Sequence, residues 1–99
     1  MKQVIYTSSF KKTAKKHKRE YSAKELDSCL NTIAKGEKLD IKYQDHQLRH
    51  KWKEGKNPYR EFHITNRLAV VYLILNDSIE VHALGTHKEL DLGESLIKN

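Results

Sequence analysis

A length of 99 residues, 37% of them hydrophobic, with one tryptophan and five tyrosines, suits a single domain over 1–99. One proline, four glycines and no internal period argue against linkers, repeats and solenoids. A formal charge of +6, from nineteen lysines and arginines against thirteen acids, favours a polyanionic partner; alone it does not choose among RNA, DNA, acidic protein and lipid, and plain solubility is the simpler alternative.

The lone Cys29 closes no internal disulfide, and the opening residues Met1 to Tyr6 carry no apolar stretch of signal-sequence length. The longest apolar run, Leu68 to Leu75, is eight residues against the ~20 that a membrane-spanning helix needs, so it reads as a buried strand. A cytoplasmic protein is expected.

Gln3 to Tyr6 predicts a first strand. Ser8 or Ser9 then caps a helix whose apolar side is Phe10, Ala14, His17 and Tyr21. Its other faces carry Lys11, Lys12, Lys15, Lys16, Lys18 and Arg19, cations that repel one another and suit contact with phosphate or an acidic partner. The alternative is a solvated basic face. Ser22-Ala23-Lys24-Glu25 is a capping box opening a second helix, with Leu26, Cys29, Leu30 and Ile33 on one stripe and an end near Gly36. On that stripe Cys29 reads as a small core residue rather than a nucleophile.

From Tyr43 to Tyr59 the pattern is irregular and polar, interrupted by the turn-like Glu54-Gly55-Lys56-Asn57-Pro58. Three strands follow, Tyr59 to Ile64, Leu68 to Leu75 and Ile79 to Leu84, joined by Thr65-Asn66-Arg67 and Asn76-Asp77-Ser78. The layout is α+β: two N-terminal helices packed on one face of a small, mainly antiparallel twisted sheet, the other face free to hold RNA.

Three imidazoles in the second half are the candidate chemistry: His46 after Asp45, His63 in Arg60-Glu61-Phe62-His63-Ile64, and His87 after Gly85-Thr86. RNA brings its own nucleophile, the 2′-hydroxyl. A cleaving protein need only remove that proton, stabilise the crowded phosphate and protonate the departing 5′-oxygen. Histidine, titrating near ~6.5, suits the first and third tasks, and a guanidinium such as Arg60 the second. Alternation puts Tyr59, Glu61 and His63 on one side of their strand and Arg60, Phe62 and Ile64 on the other, so Arg60 and His63 converge only if twist or a bulge brings both to one rim. Taken singly, His17, His50 and His82 read as structural or solvated. His46 and His50 at four-residue spacing raise a metal site on a helical face, but no acid lies between them and no cysteine pair supports them, so no metal or other cofactor is expected. A phosphate loop, a serine triad and a catalytic cysteine find no support.

In order, Tyr43-Gln44-Asp45-His46-Gln47-Leu48, Trp52-Lys53, Tyr59-Arg60-Glu61-Phe62-His63-Ile64, Val70-Val71-Tyr72 and Leu84-Gly85-Thr86-His87-Lys88-Glu89-Leu90 resemble the YafQ branch of the RelE/ParE toxin superfamily. The likeness is close over residues 39–90, and the two-helix beginning fits. It implies a RelE-like fold and a type II toxin, an mRNA interferase that cuts messages in the ribosomal A site and is restrained by a cognate antitoxin. By position, the resemblance assigns His46, His63 and His87 to the active site, with His87 as general acid, His46 or His63 as base or phosphate holder, and Arg60 and Lys53 as positive charge. Arg67 stands where the family commonly has a carboxylate. Leu48-Arg49-His50 replaces Leu-x-Gly, the loop between Trp52 and Tyr59 is longer, and Asp91 replaces a phenylalanine. Lys53, Arg67 and the cations of the first helix are the RNA-binding candidates, messenger and ribosomal RNA the partners, and operator DNA a partner only of the toxin–antitoxin pair. The competing expectations are a ParE-like, non-enzymatic gyrase inhibitor and a weakened relative that keeps RNA and antitoxin binding alone.

Overall fold

Val4 and Tyr6 turn inward and Gln3 and Ile5 outward along β1 (Gln3–Tyr6), the alternation of a strand with one packed face. The structure, a computed structural model, describes residues 1–48, 53–54 and 57–90, with backbone alone for 53 and 54. Arg49, His50, Trp52 and Asp91 therefore lie outside the described residues, as does the Lys53 side chain.

Helix α1 (Ser8–Ala14) is capped by Thr7, one residue ahead of the expected serines: its hydroxyl accepts from the Phe10 amide (3.1 Å) and donates to the Val81 carbonyl (2.9 Å). That double use ties the cap to the sheet. The helix is shorter than the apolar spacing predicts, tightening into a 3₁₀ turn at Lys15–His17. Phe10, Ala14 and His17 are buried, as that spacing requires. Helix α2 (Ala23–Ala34) begins as read, with the Ser22 hydroxyl accepting from the Glu25 amide (3.1 Å), and it ends before Gly36, whose φ of 81° few other residues adopt. Leu26, Cys29, Leu30 and Ile33 all face the core.

The other strands are β2 (His46–Gln47), β3 (Lys53–Glu54), β4 (Asn57–His63), β5 (Ala69–Ile74) and β6 (Ser78–Gly85). Their order is β1-β6-β5-β4-β2, with β3 pairing β4 off that path. All pairs are antiparallel except β1 with β6, which runs parallel from Gln3↔Ser78 to Tyr6↔Val81. The first strand stands ahead of the two helices as read, and the mainly antiparallel sheet is made mixed by this one parallel pair, which the sequence reading did not foresee. The parallel pairing follows from connectivity: β6 runs antiparallel to β5 and β5 to β4, so β6 shares the direction of β4, and the helical crossover after β1 lets the chain re-enter the sheet in that same direction.

Both faces of β5 are buried, and the sheet divides two cores. Phe62, Val70, Tyr72, Ile79, Val81 and Leu84 meet Phe10, Ala14, Leu26, Leu30 and Ile33 on the helix side. Burial of each large apolar side chain there contributes about 1.5–3 kcal/mol. Leu48, Ala69, Val71, Ala83 and Leu90, with Tyr59 against them, form the smaller cluster of the opposite face. A register shift between Val71 and Tyr72 leaves His82 as an extra residue on β6.

Candidate active site

Glu61 is the centre of the site, and its side chain is wholly buried. His46 is its direct cross-strand partner on β2, His63 lies two residues along the same face of β4, and His87 arrives from the turn after β6. Their Nε2 atoms stand 3.2 Å from Glu61 Oε2 (His46), 3.3 Å from Oε1 (His63) and 2.8 Å from Oε1 (His87). Only the His87 contact is aligned as a hydrogen bond; His46 Nε2, His63 Nε2 and Glu61 Oε2 have no such partner among the described residues. The rings of His63 and His87 meet edge to face, centroids 5.1 Å apart.

Burial opposes ionisation of Glu61, but the imidazoles of His46, His63 and His87 outweigh it and hold the carboxyl well below the usual carboxylate range. An ionised carboxylate this deep requires compensating positive charge. His46 supplies it. Its Nδ1 lies 2.7 Å from the Gln44 carbonyl, which can only accept, so Nδ1 carries a proton. Nε2 faces Glu61 Oε2 across 3.2 Å; Glu61 is the main cause of the raised His46 pKa, against the opposing effect of burial, so the carboxylate favours the protonated ring.

Local sequence explains how His87 is placed. Thr86 and Glu89 form a capping box over a single turn: the Thr86 amide donates to Glu89 Oε1 (2.9 Å), the Glu89 amide to Thr86 Oγ1 (3.1 Å), and the Leu90 amide to the Thr86 carbonyl (3.0 Å). His87 follows the cap and points at Glu61. Gly85 makes room for this turn: a Cβ there would lie 3.1 Å from Glu89 Oε1 and 3.3 Å from a Leu90 methyl, so both side chains would have to shift by a few tenths of an ångström.

Two clefts flank His63. One, of about 270 Å³, is lined by His63, Asn66, Arg67, Leu68, Ala69 and His87. The other, about 420 Å³, lies against Lys42, Tyr43, Gln44 and Asn66. Of the expected site residues, His46, His63 and His87 are brought together and Arg67 borders them. Arg60 is not. It lies on the opposite face of β4, as alternation requires, where its Nε donates to the Tyr72 hydroxyl (3.1 Å), its Nη2 pairs with Asp45 (3.3 Å), and Tyr72 donates to Asp45 Oδ1 (2.5 Å). The structure thus places Arg60 apart from the three imidazoles, in a cluster with Asp45 and Tyr72. Lys11, Lys12, Lys15, Lys16, Lys18 and Arg19 are exposed on α1 and the segment after it, and that segment abuts the His87 turn through His17 and Glu89. His46 sits on a strand rather than a helix, so the four-residue pairing with His50 has no helical face to rest on.

The residue of this cluster that sequence reasoning passed over is Glu61. Its signal was present, a carboxylate on the same strand face as His63, but its other two imidazoles come from β2 and from beyond β6.

The family model described as the bacterial toxin of type II toxin–antitoxin systems, YafQ, matches residues 2–92. The chain belongs to the YafQ toxin family. A copper-bound mutant toxin from Helicobacter pylori is 35% identical, with 91% of this chain and 99% of that one covered and a TM-score of 0.80. A metal-bound toxin from Helicobacter pylori is 30% identical over 91% and 99% of the two chains, TM-score 0.76. The E. coli DinJ–YafQ complex is similar at 25% identity over 91% and 98%, TM-score 0.73. No curated protein sequence matches. Among the described residues of this YafQ-family chain, no helix is long and apolar enough to cross a membrane.

Proposed function

We propose that this YafQ-family toxin is an mRNA interferase that cuts messages in the ribosomal A site. The observation that carries the reading is the convergence of three imidazoles on one buried carboxylate, Glu61. His87 donates Nε2–H to Glu61, which leaves its Nδ1 for proton exchange, and the His63 ring beside it likewise turns Nε2 toward Glu61. His63 removes the 2′-hydroxyl proton, the oxygen attacks phosphorus, and the 5′-oxygen leaves with a proton from His87. The products are a 2′,3′-cyclic phosphate and a 5′-hydroxyl. The His46 imidazolium, with Arg67 at the cleft, offsets charge gathering on the phosphate. The exposed cations of α1 and of Lys15 to Arg19 bind RNA phosphates. Positioning supplies a large share of any barrier reduction, so the ribosome, by aligning the message, makes free RNA the poorer substrate.

A cognate antitoxin is the restraining partner, by analogy with the DinJ–YafQ complex, and an acidic segment folding over the basic site fits the charge. Co-expression of the neighbouring gene product should relieve growth arrest and co-purify. The deciding experiment is cleavage of a defined message on programmed ribosomes with end mapping, comparing wild type with His87→Ala and His63→Ala. Codon-phased cuts lost in both variants support the interferase; an intact message despite toxicity in cells redirects the reading to a gyrase inhibitor.

A second reading rests on the same donors. Ligand atoms of Glu61, His63 and His87 lie within 4.8 Å of one another, and two imidazoles with a carboxylate suit a transition metal such as copper, as carried by the Helicobacter pylori relative. An ion held there replaces the Nε2–Glu61 contacts that orient the two rings, and its charge disfavours protonation of His87. Added copper should then suppress cleavage while chelation spares it; loss of cleavage on chelation would instead make the ion part of the cutting machinery.

A further inference from the structure

Outside the Glu61 site, the described residue that stands out is His17, buried at 6% exposure with both ring nitrogens bonded to carboxylates. Nδ1 lies 2.7 Å from Glu20 Oε2 and Nε2 lies 2.8 Å from Glu89 Oε1. Carboxylates only accept, so both nitrogens donate and the ring is an imidazolium with no lone pair left for chemistry. Each carboxylate holds something else. Glu89 closes the capping box with Thr86 that sets His87 in place, and Glu20 pairs with Arg67. His87 and Arg67 both line the 270 Å³ cleft beside His63.

We propose that His17 is a positioning residue for the cleavage reaction, one imidazole that holds His87 through Glu89 and Arg67 through Glu20 and so fixes the width of the cleft between them. The proposal rests on the interferase reading. The linkage is direct: His17 to Glu89 to the Thr86 amide is two hydrogen bonds, and His87 is the next residue. The tie matters because the His87 turn is otherwise a single turn after a strand end, with its cap partly exposed, and a misplacement of about 1 Å at a reacting group costs on the order of a hundredfold in rate. The 72-residue span between His17 and Glu89 brings the N-terminal segment into the service of the last imidazole.

The test uses the whole toxin. Glu89→Ala removes the acceptor shared by His17 and Thr86 at a partly exposed position, and Glu89→Gln restores a carbonyl oxygen there. Maximum cleavage rate and half-saturating toxin concentration are measured on programmed ribosomes, and nitrogen-detected NMR of the imidazoles is recorded on the isolated toxin. Glu89→Ala and His17→Gln should each lower the maximum rate by on the order of a hundredfold with the half-saturating concentration moving less than about threefold. Glu89→Gln should recover most of the loss, and the His87 ring in Glu89→Ala should lose its fixed Nε2–H tautomer while His46 keeps its signals. Unchanged rate in a folded Glu89→Ala, or no rescue by Glu89→Gln, overturns the proposal. Should the wild type cut no message, the interferase reading fails, and the His87 tautomer then decides the positioning by itself: an unaltered ring overturns it.

Discussion

The two buried histidine clusters are inversions of each other. At Glu61 one carboxylate faces three imidazoles; at His17 one imidazole faces two carboxylates. Where carboxylates are in excess, every ring nitrogen is engaged and the group becomes a fixed tie. Where imidazoles are in excess, one carboxylate cannot satisfy them all, and ring nitrogens are left over for substrate. The same two residue types give a rigid link or a reactive centre according to their ratio, a rule that charge totals for the chain do not reveal.

Removing the hub tests this most severely. Glu61→Gln should cost about 2–4 kcal/mol in urea unfolding, because the His46 imidazolium is left without its counter-charge, and should lower cleavage about a hundred- to ten-thousand-fold. A variant as stable as wild type would show that the carboxylate is not the centre of charge. Next in size, His87→Ala should lose a comparable factor in cleavage but less than about 1 kcal/mol in stability, since its ring is partly exposed and its turn is capped independently. Equal losses of stability in the two variants would erase the distinction between hub and spoke.

Much of this was legible in the chain. Alternation along β4 grouped Glu61 with His63 and set Arg60 apart, and the capping box at Ser22 fixed the start of α2. A second box, Thr86-x-x-Glu89, was equally readable and marks the turn that carries His87. What sequence spacing does not carry is pairing across distance. His17 read as one more inward position of an amphipathic helix because its partner Glu89 lies 72 residues on, and β1 read as an ordinary strand because its parallel partner is β6. Arg60, grouped with the imidazoles by resemblance, lies in the Asp45–Tyr72–Arg60 cluster on the other face.

The central groups of the two clusters, His17 and Glu61, respond oppositely to pH. The His17 pKa is raised by Glu20 first and, against the cost of burial, by Glu89; its contribution to stability is whole below the ordinary value of 6.5 and is lost as pH rises through the raised folded value. Glu61 is depressed, because its imidazoles overcome burial, so its contribution is whole above the ordinary 4.5 and is lost as pH falls through the depressed value. Glu89, held at about 2 by the Thr86 backbone and His17, adds to the acid limb. Urea melts from about pH 2 to about pH 9 should show stability falling at both ends; His17→Gln should weaken the alkaline limb, and Glu61→Gln should weaken the acid limb most, with a smaller effect on the alkaline limb through His46. A crossed pattern would assign the clusters wrongly. The smallest effect is that of Arg60→Ala, expected to cost about 1 kcal/mol and to leave cleavage within about twofold. A large loss of cleavage would return Arg60 to the chemistry.

The parallel pairing of β1 with β6 bears on how the molecule comes into being. Residues 3–6 have no sheet partner until residues 78–81 are available, and contacts of that span are slow to close. His87 lies six residues beyond Val81, at the far end of the same event. A growing chain thus lacks both the strand that anchors its beginning and the third imidazole until nearly the same moment of synthesis, so folding and arming of the toxin are one late step.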